Sequence, residues 1–258
     1  MRYELRPMSV GEILDRALRI YLKNFGFLLA VSLTFLVPVD VLYLAIASSL
    51  GGSEVEQQLV STLVSLTVGV GIQALLAGAL VQAVSDIYLG TPVSLGRCLK
   101  SVGTRIIPLC IGTFLYAAIV GIGMMFCILP GLFFMGAFFA TIPVIVLEKR
   151  GPIDAMERSW TLSWSMRRRA FAATFFAQLM GTFVATPVAF LEQAFTMAPL
   201  HAQALTQTVA GVVTPYASIV LILVYYDFRI RREAFDLQVL AAELHRGPAA
   251  PPAAASTP

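Results

Sequence analysis

The fold is decided by the stretch FGFLLAVSLTFLVPVDVLYLAIAS at residues 25–48, which contains one carboxylate, Asp40, and no lysine or arginine. A run of about 20 predominantly apolar residues is long enough to cross a bilayer as a helix. The run is too long for the apolar core of a cleaved secretory signal, and it follows a charged segment, so we expect it to stay in the protein. It therefore predicts a first transmembrane helix.

The composition of the whole chain also indicates a membrane protein. Of its 258 residues, 58% are hydrophobic and 13% are charged, and the mean hydropathy is +0.80. Soluble domains carry about 25% charged residues, which they need to cover a surface in water. This chain has too few charges for such a surface, so we expect lipid to surround most of it.

The basic residues are distributed one-sidedly. All 18 fall in four clusters, at 2–23, 97–105, 149–169 and 229–246. Each of the three stretches between them is long enough for two crossings, and each has a polar or helix-breaking point near its middle. Because loops rich in lysine and arginine stay in the cytoplasm, this pattern predicts six spans with both termini cytoplasmic.

We therefore predict an all-α integral membrane bundle with interfacial amphipathic helices. It forms a single polytopic domain over residues 1–246, and a Pro/Ala-rich tail at 247–258 is expected to be disordered. The motif Leu129-Pro130-Gly131 predicts a tight turn on the far side of the membrane. The predicted spans are about 25–48, 57–89, 106–128, 132–147, 170–191 and 206–226.

A short amphipathic helix is predicted before each pair of spans. The three helices share the pattern apolar, any residue, Arg, small, apolar, in LDRAL at 14–18, LGRCL at 95–99 and MERSW at 156–160. Two interpretations remain open. The chain contains three repeats of an interfacial helix plus a helical hairpin, or short arginine-containing helices simply resemble one another.

Two kinds of polar site stand out. Asp40 lies inside a span, where a carboxylate is costly and is by default a functional candidate. It could bind a proton or a cation, or it could be a hydrogen-bonded structural acid beside Pro38. The second candidate is a charge network on the cytoplasmic rim, in which acids at the ends of spans meet arginines of the short helices. Its predicted members are Arg16, Arg97, Arg158, Asp86, Glu148 and Asp227.

No pattern of catalytic or metal-binding residues is evident. The chain has two histidines and three cysteines, with no CxxC pair and no glycine-rich phosphate loop. We expect no catalytic residue, no metal and no cofactor. Nucleic-acid binding is also not expected, because the basic residues lie next to the membrane.

Several strings resemble a known family. They are SVGEILDRA at 9–17, LPGL at 129–132, PVIVLE at 143–148, GPIDAMERSW at 151–160 and YDFRIRREAFDL at 226–237. In this order, over roughly 5–240, the chain resembles the bacterial membrane-domain family named after glycerophosphoryl diester phosphodiesterase. The resemblance implies a multi-helix protein of the bacterial plasma membrane. It does not imply phosphodiesterase activity, because the family takes its name from members fused to a separate catalytic domain.

Three functions are compatible with these features. The first is a non-enzymatic scaffold or accessory factor for envelope or lipid-related processes, with an unknown protein partner docked on its rim and anionic lipid headgroups as further partners. The second is a transporter of a small or amphiphilic substrate, which requires a polar cavity at Asp40. The third, ranked last, is an intramembrane enzyme acting on lipids, which requires polar residues clustered at one depth.

Overall fold

The computed structural model describes residues 6–49, 53–64, 68–164, 166–195, 199–234 and 237. Within these ranges the chain is built of helices and shows no strand. The helices are α1 (Val10–Lys23), α2 (Phe25–Ser49), α3 (Glu54–Val64), α4 (Val70–Leu89), α5 (Leu95–Gly103), α6 (Ile106–Phe126), α7 (Ile128–Ala137), α8 (Thr141–Leu147), α9 (Pro152–Ser163), α10 (Arg167–Ala194) and α11 (Pro199–Glu233).

Six segments in the described part are long and apolar enough to cross a membrane, so the predicted all-α bundle with about six spans is confirmed. The chain is a multi-pass helical membrane protein. Apolar side chains face outward from the spans; Met125 and Phe126, for example, are 89% and 85% exposed. Such a surface is stable against lipid but not against water. The segments are Phe25–Ile46, Val70–Leu89, Ile106–Phe126, Ile128–Leu147, Arg167–Val188 and Ala204–Glu233.

The turn between the third and fourth spans lies at Cys127, and not at Leu129-Pro130-Gly131 as the sequence suggested. Cys127 is extended, with φ −169° and ψ 149°, and it caps the end of α6 and the start of α7. Pro130 fits the first turn of α7, because N–H groups there have no partner within the helix. The two helices approach closely beside the turn, since a Cβ on Gly123 would lie 2.9 Å from the Gly131 Cα.

Other boundaries also differ from the predicted ones. The segment 57–89 would be about 50 Å long as one helix, whereas a hydrocarbon core is about 30 Å thick. The structure divides this segment into α3 and α4. At the other end of the chain, α11 continues past the predicted end of the last span at 226 to Glu233, so the arginines at 229–232 lie on the same helix as that span. The predicted disordered tail lies outside the described residues.

The C-terminal ends of α4, α8 and α11 meet at one end of the bundle, which we call the charged end. The rings of Tyr88 and Tyr226 stack with centroids 5.3 Å apart and join α4 to α11. The Tyr225 hydroxyl donates a 2.9 Å hydrogen bond to Glu148, which directly follows α8. These contacts bring the ends of α4 and α8 beside Tyr225 and Tyr226, about two turns before the end of α11.

The three short helices pack in a cyclic order. Helix α5 contacts α4, α9 contacts α8, and α1 contacts α11. Each short helix thus lies on the last span of the preceding pair, and α1 closes the ring on the last span of the chain. A capping box begins α1, as the spacing of Ser9 and Glu12 favours: Ser9 Oγ accepts from the Glu12 N–H at 3.2 Å, and Glu12 accepts from the Ser9 N–H at 2.6 Å. The three-unit repeat itself stays a prediction.

Candidate functional site at the charged end

Asp86, in the last turn of α4, is 6% exposed and is contacted by three polar side chains. Its Oδ1 accepts hydrogen bonds from Gln82 Nε2 at 3.1 Å and from Thr91 Oγ1 at 3.0 Å. The Arg97 guanidinium of α5 lies 3.6 Å from Oδ2, which makes an ion pair without a hydrogen bond. Ser101 Oγ, also on α5, donates to Gln82 Oε1 at 3.2 Å. Helix α5 is therefore attached to α4 through a polar contact as well as through buried Cys98 and Val102.

Glu148 and Arg158 form the centre of a second group, between α8, α9 and α11. Arg158 Nε lies 3.2 Å from Glu148 Oε2, and its NH2 pairs with Glu233 at the end of α11. Burial acts to lower the pKa of Arg158, but the two carboxylates outweigh it and hold that pKa above its ordinary value. Arg150 adds a 3.1 Å ion pair to Glu148 from the outer side. One cation thus links α9 to two spans.

Asp227, on α11, is fully buried and is the most completely satisfied acid of the rim. Its Oδ1 accepts the Met8 backbone N–H at 2.8 Å. Arg231 Nε donates to Oδ2 at 3.0 Å, and the Arg169 Nε of α10 lies 3.3 Å from the same oxygen. Arg231 also donates to the Met8 carbonyl at 3.2 Å. Asp227 therefore holds together the segment before α1, the start of α10 and the end of α11.

The structure brings four of the six predicted rim residues together in two pairs, Asp86 with Arg97 and Glu148 with Arg158. Arg16 lies on α1, where its positive charge interacts electrostatically with the Tyr88 hydroxyl of α4. Asp227 pairs with Arg169 and Arg231, which were not among the predicted members of the network. The i, i+4 spacing of Asp227 and Arg231 on a helix could have indicated one of them, but the contacts of Arg169 and Glu233 depend on packing between distant elements.

Asp40 lies on the contact between α2 and α11. Its Oδ2 accepts a 2.9 Å hydrogen bond from Thr208 Oγ1, whereas its Oδ1 is buried without a hydrogen-bond partner. One residue before Thr208, the Gln207 side chain accepts a 3.1 Å hydrogen bond from Gln73 Nε2 of α4. Polar side chains from α2 and α4 therefore meet consecutive residues of α11 inside the membrane-spanning part.

The cysteines and acids offer little nucleophilic or metal chemistry in the described part of the chain. No group of three His, Cys, Asp or Glu side chains there is arranged to hold a metal ion. Cys98, Cys110 and Cys127 are free thiols. Burial, with help from the Asp86 charge, raises the pKa of Cys98 to about 11, so this thiol stays protonated at neutral pH and is a poor nucleophile.

The fold and the charged end define the class of the molecule: a polytopic α-helical membrane protein whose short helices are ion-paired to the ends of its spans. Comparison with protein-family models, with curated proteins and with solved structures finds no match. The function must therefore be inferred from the residues and their geometry.

Proposed function

We propose that this chain is a bacterial plasma-membrane protein, with both termini in the cytoplasm, that serves as a non-enzymatic scaffold for envelope or lipid-related machinery. The observation that carries the proposal is the attachment of the short helices. The carboxylates Asp86, Glu148 and Asp227, on or directly after three different spans, hold α5, α9 and the segment before α1. The short helices then form a fixed polar platform at the charged end.

The outer faces of the platform carry exposed charges that a partner protein could contact. Asp154 and Glu157 are exposed on α9, and Lys100 is exposed on α5. Asp15 and Arg19 on α1 are exposed by 60% and 77% and pair with each other at 2.8 Å. A rim that alternates acidic and basic patches favours recognition by charge complementarity. The one-sided basic clusters support a cytoplasmic position for this rim, and the family resemblance supports the bacterial plasma membrane.

The orientation is tested by reporter fusions. Fusions after residues 52, 130 and 200 should report the periplasm, and fusions after residues 103 and 165 should report the cytoplasm. A cytoplasmic signal from position 130 together with a periplasmic signal from position 103 would reverse the orientation and remove the platform from the cytoplasm.

The scaffold role is tested by affinity purification of the full chain from gently solubilised membranes. We expect a partner in stoichiometric amount whose recovery falls when the exposed acid on α9 is reversed, in Glu157→Lys. The matched control is Glu56→Lys, which makes the same charge change on α3, in a different part of the bundle. If no partner co-purifies, or if both variants lose it equally, the platform is not the docking surface.

A transporter is the second candidate, and two observations favour it. Asp40 has one oxygen buried without a hydrogen-bond partner. A cavity of about 190 Å³ between α6, α8, α10 and α11 is lined mainly by apolar groups but also by Tyr116, Thr141, Thr174 and Ser218. Asp40 does not line this cavity, so the polar cavity at Asp40 that a transporter requires is not provided by it. An amphiphilic substrate would suit such a lining. In vesicles that contain the purified protein, Asp40→Asn should then abolish uptake or extrusion, while unchanged flux would remove this candidate.

A further inference from the structure

A pocket of about 460 Å³ lies between α4, α5 and the end of α8 at the charged end. It is much larger than the roughly 30 Å³ that one water molecule occupies in the liquid. Gln82, Ser101 and Thr104 contribute uncharged polar groups to its lining. The lining also contains four cationic side chains, from Arg97, Lys100, Arg105 and Lys149.

The positive charge of this pocket is not balanced by its own lining, which contains no acidic residue. Arg97 has the neighbouring Asp86 at 3.6 Å. Within the ranges that the structure describes, Lys100, Arg105 and Lys149 form no ion pair. Like charges around one pocket repel each other unless an anion lies between them. The pocket is thus built to receive negative charge.

The backbone at Lys149 adds an independent observation. Lys149 has a φ of 57°, in the left-handed region that favours glycine. It directly follows Glu148, the C-cap of α8, where glycine commonly ends a helix. A lysine in this conformation is retained at an energetic cost, and its side chain lines the pocket. Glycine at this position would relieve the backbone strain, but it would remove the charge that Lys149 contributes to the pocket.

The surface beside the pocket indicates the kind of anion. Arg105 lines the pocket, and the next two residues, Ile106 and Ile107 at the start of α6, are 45% and 70% exposed. Apolar side chains that open outward at the start of a span face lipid chains. A molecule with a phosphate in the pocket could therefore lay its acyl chains along α6, whereas inorganic phosphate would leave that face unused.

We propose that the pocket formed by Arg97, Lys100, Arg105 and Lys149 binds the phosphate of an anionic phospholipid headgroup. Basic pockets between transmembrane helices near the cytoplasmic surface are suited to such headgroups. The proposal deepens the scaffold function by naming its lipid ligand, and it rests on that function only in placing the charged end at the membrane surface.

The test uses the purified full-length protein in neutral detergent micelles and native mass spectrometry to count bound lipids. Phosphatidylglycerol is titrated in parallel with phosphatidylcholine of the same chains, and inorganic phosphate is added as a competitor. We expect phosphatidylglycerol to bind more tightly than phosphatidylcholine. We also expect added salt to weaken the binding of phosphatidylglycerol. Each cation removed from the pocket should weaken phosphatidylglycerol binding about fivefold.

The variants are chosen so that folding does not obscure the result. Lys149→Gly removes a charge while giving the backbone the residue that it favours, and Arg105→Gln removes a second charge. The controls Arg19→Gln and Arg150→Gln remove one charge each at the same end, from residues outside the lining. Weaker phosphatidylglycerol binding in Lys149→Gly and Arg105→Gln, but not in the two controls, would support the proposed binding site.

Three results would overturn the proposal: pocket variants that bind phosphatidylglycerol like the wild type, equal binding of the two lipids, or inorganic phosphate that binds as tightly as the lipid. The last result would assign the same chemistry to a soluble anion. None of these results alters the reporter-fusion or co-purification outcomes, so failure of the lipid site and failure of the scaffold can be told apart.

Discussion

Asp227 is part of α11, and Asp40 contacts α11 from α2, yet the two carboxylates have different environments. Asp227, at the charged end, is fully buried, accepts hydrogen bonds from a backbone N–H and from Arg231, and is ion-paired with Arg169. Asp40, in the spanning part, has one hydrogen bond from Thr208 and one buried oxygen without a hydrogen-bond partner. The first carboxylate holds three segments in place, and the second joins two helices through a single contact.

The difference shows which contacts determine how the helices of this bundle pair with one another. Between the spans, apolar packing cannot distinguish one helix pairing from another as sharply as charges can, because lipid is as apolar as the helix surfaces. At the charged end, each short helix is assigned to its span by a defined set of donors and acceptors. We therefore expect substitutions at the charged end to affect stability more than substitutions at Asp40.

The largest effect is expected for Asp227→Ala. The substitution leaves Arg169, Arg231 and the Met8 N–H without their shared acceptor in a buried place, and such a loss costs about 3–5 kcal/mol. The free energy of unfolding in mixed micelles of increasing SDS content measures it. Asp227→Asn, which keeps the shape and one acceptor, should fall between alanine and the wild type. A wild-type unfolding curve for the alanine variant would mean that the network does not hold the bundle.

A smaller effect is expected for Arg158→Ala. Arg158 is 21% exposed and bridges Glu148 and Glu233, so removing it should cost about 1.5–3 kcal/mol, as for hydrogen bonds to charged groups. Arg150 contacts the same glutamate but is 47% exposed, and Arg150→Ala should cost less than about 1 kcal/mol. The same unfolding assay compares the two. Equal losses would show that α9 is not fixed through Arg158.

Asp40→Asn should change stability by about 0.6 kcal/mol or less, the usual scale for a polar contact between transmembrane helices. The asparagine side-chain oxygen can still accept the hydrogen bond from the Thr208 hydroxyl. Its NH2 group takes the place of the Asp40 oxygen that has no hydrogen-bond partner. Thr208→Val in the same assay removes the donor and serves as the matched change. A loss comparable to that of Asp227→Ala would contradict the contrast between the two regions.

The smallest effect concerns pH and the start of α1. The Ser9 N–H and hydroxyl, with Arg6, lower the pKa of the exposed Glu12 from 4.5 to about 2. Because the folded pKa is the lower one, the contribution of Glu12 is complete above about pH 4.5 and is lost as the pH falls towards about 2. The stability difference between the wild type and Glu12→Gln should shrink over that window. A constant difference would show that the carboxylate charge plays no part in the cap.

Much of the fold could be predicted from the sequence because hydropathy and basic clusters report directly on the bilayer. The stretch 25–48 and the charge-poor stretches after it are sufficient for six helices, and the Ser9 and Glu12 spacing is sufficient for the start of α1. The turn at Cys127 was not predictable, because Pro130 marks either a helix break or a first helical turn, and only the close packing of Gly123 on Gly131 distinguishes them.

The candidate site could be predicted in part. The pairs Asp86–Arg97 and Glu148–Arg158 join residues near each other in the chain, where an acid that ends a span precedes the arginine of the next short helix. Two of the three partners of Asp227, the Met8 backbone and Arg169, come from distant segments, so their identity depends on how the helices pack. Three cations of the basic pocket come from the basic cluster at 97–105, whereas Lys149 joins them only because α8 packs against α4.

The central claim is that the charged end faces the cytoplasm, and thiol labelling tests it most directly. Cys127 is exposed at the turn between α6 and α7, whereas Cys98 is buried at the charged end. In intact spheroplasts, an impermeant maleimide should modify the wild type and fail to modify Cys127→Ser. Lys100→Cys, added to Cys127→Ser, should react only after permeabilisation. Reaction of Lys100→Cys in intact spheroplasts would contradict the account.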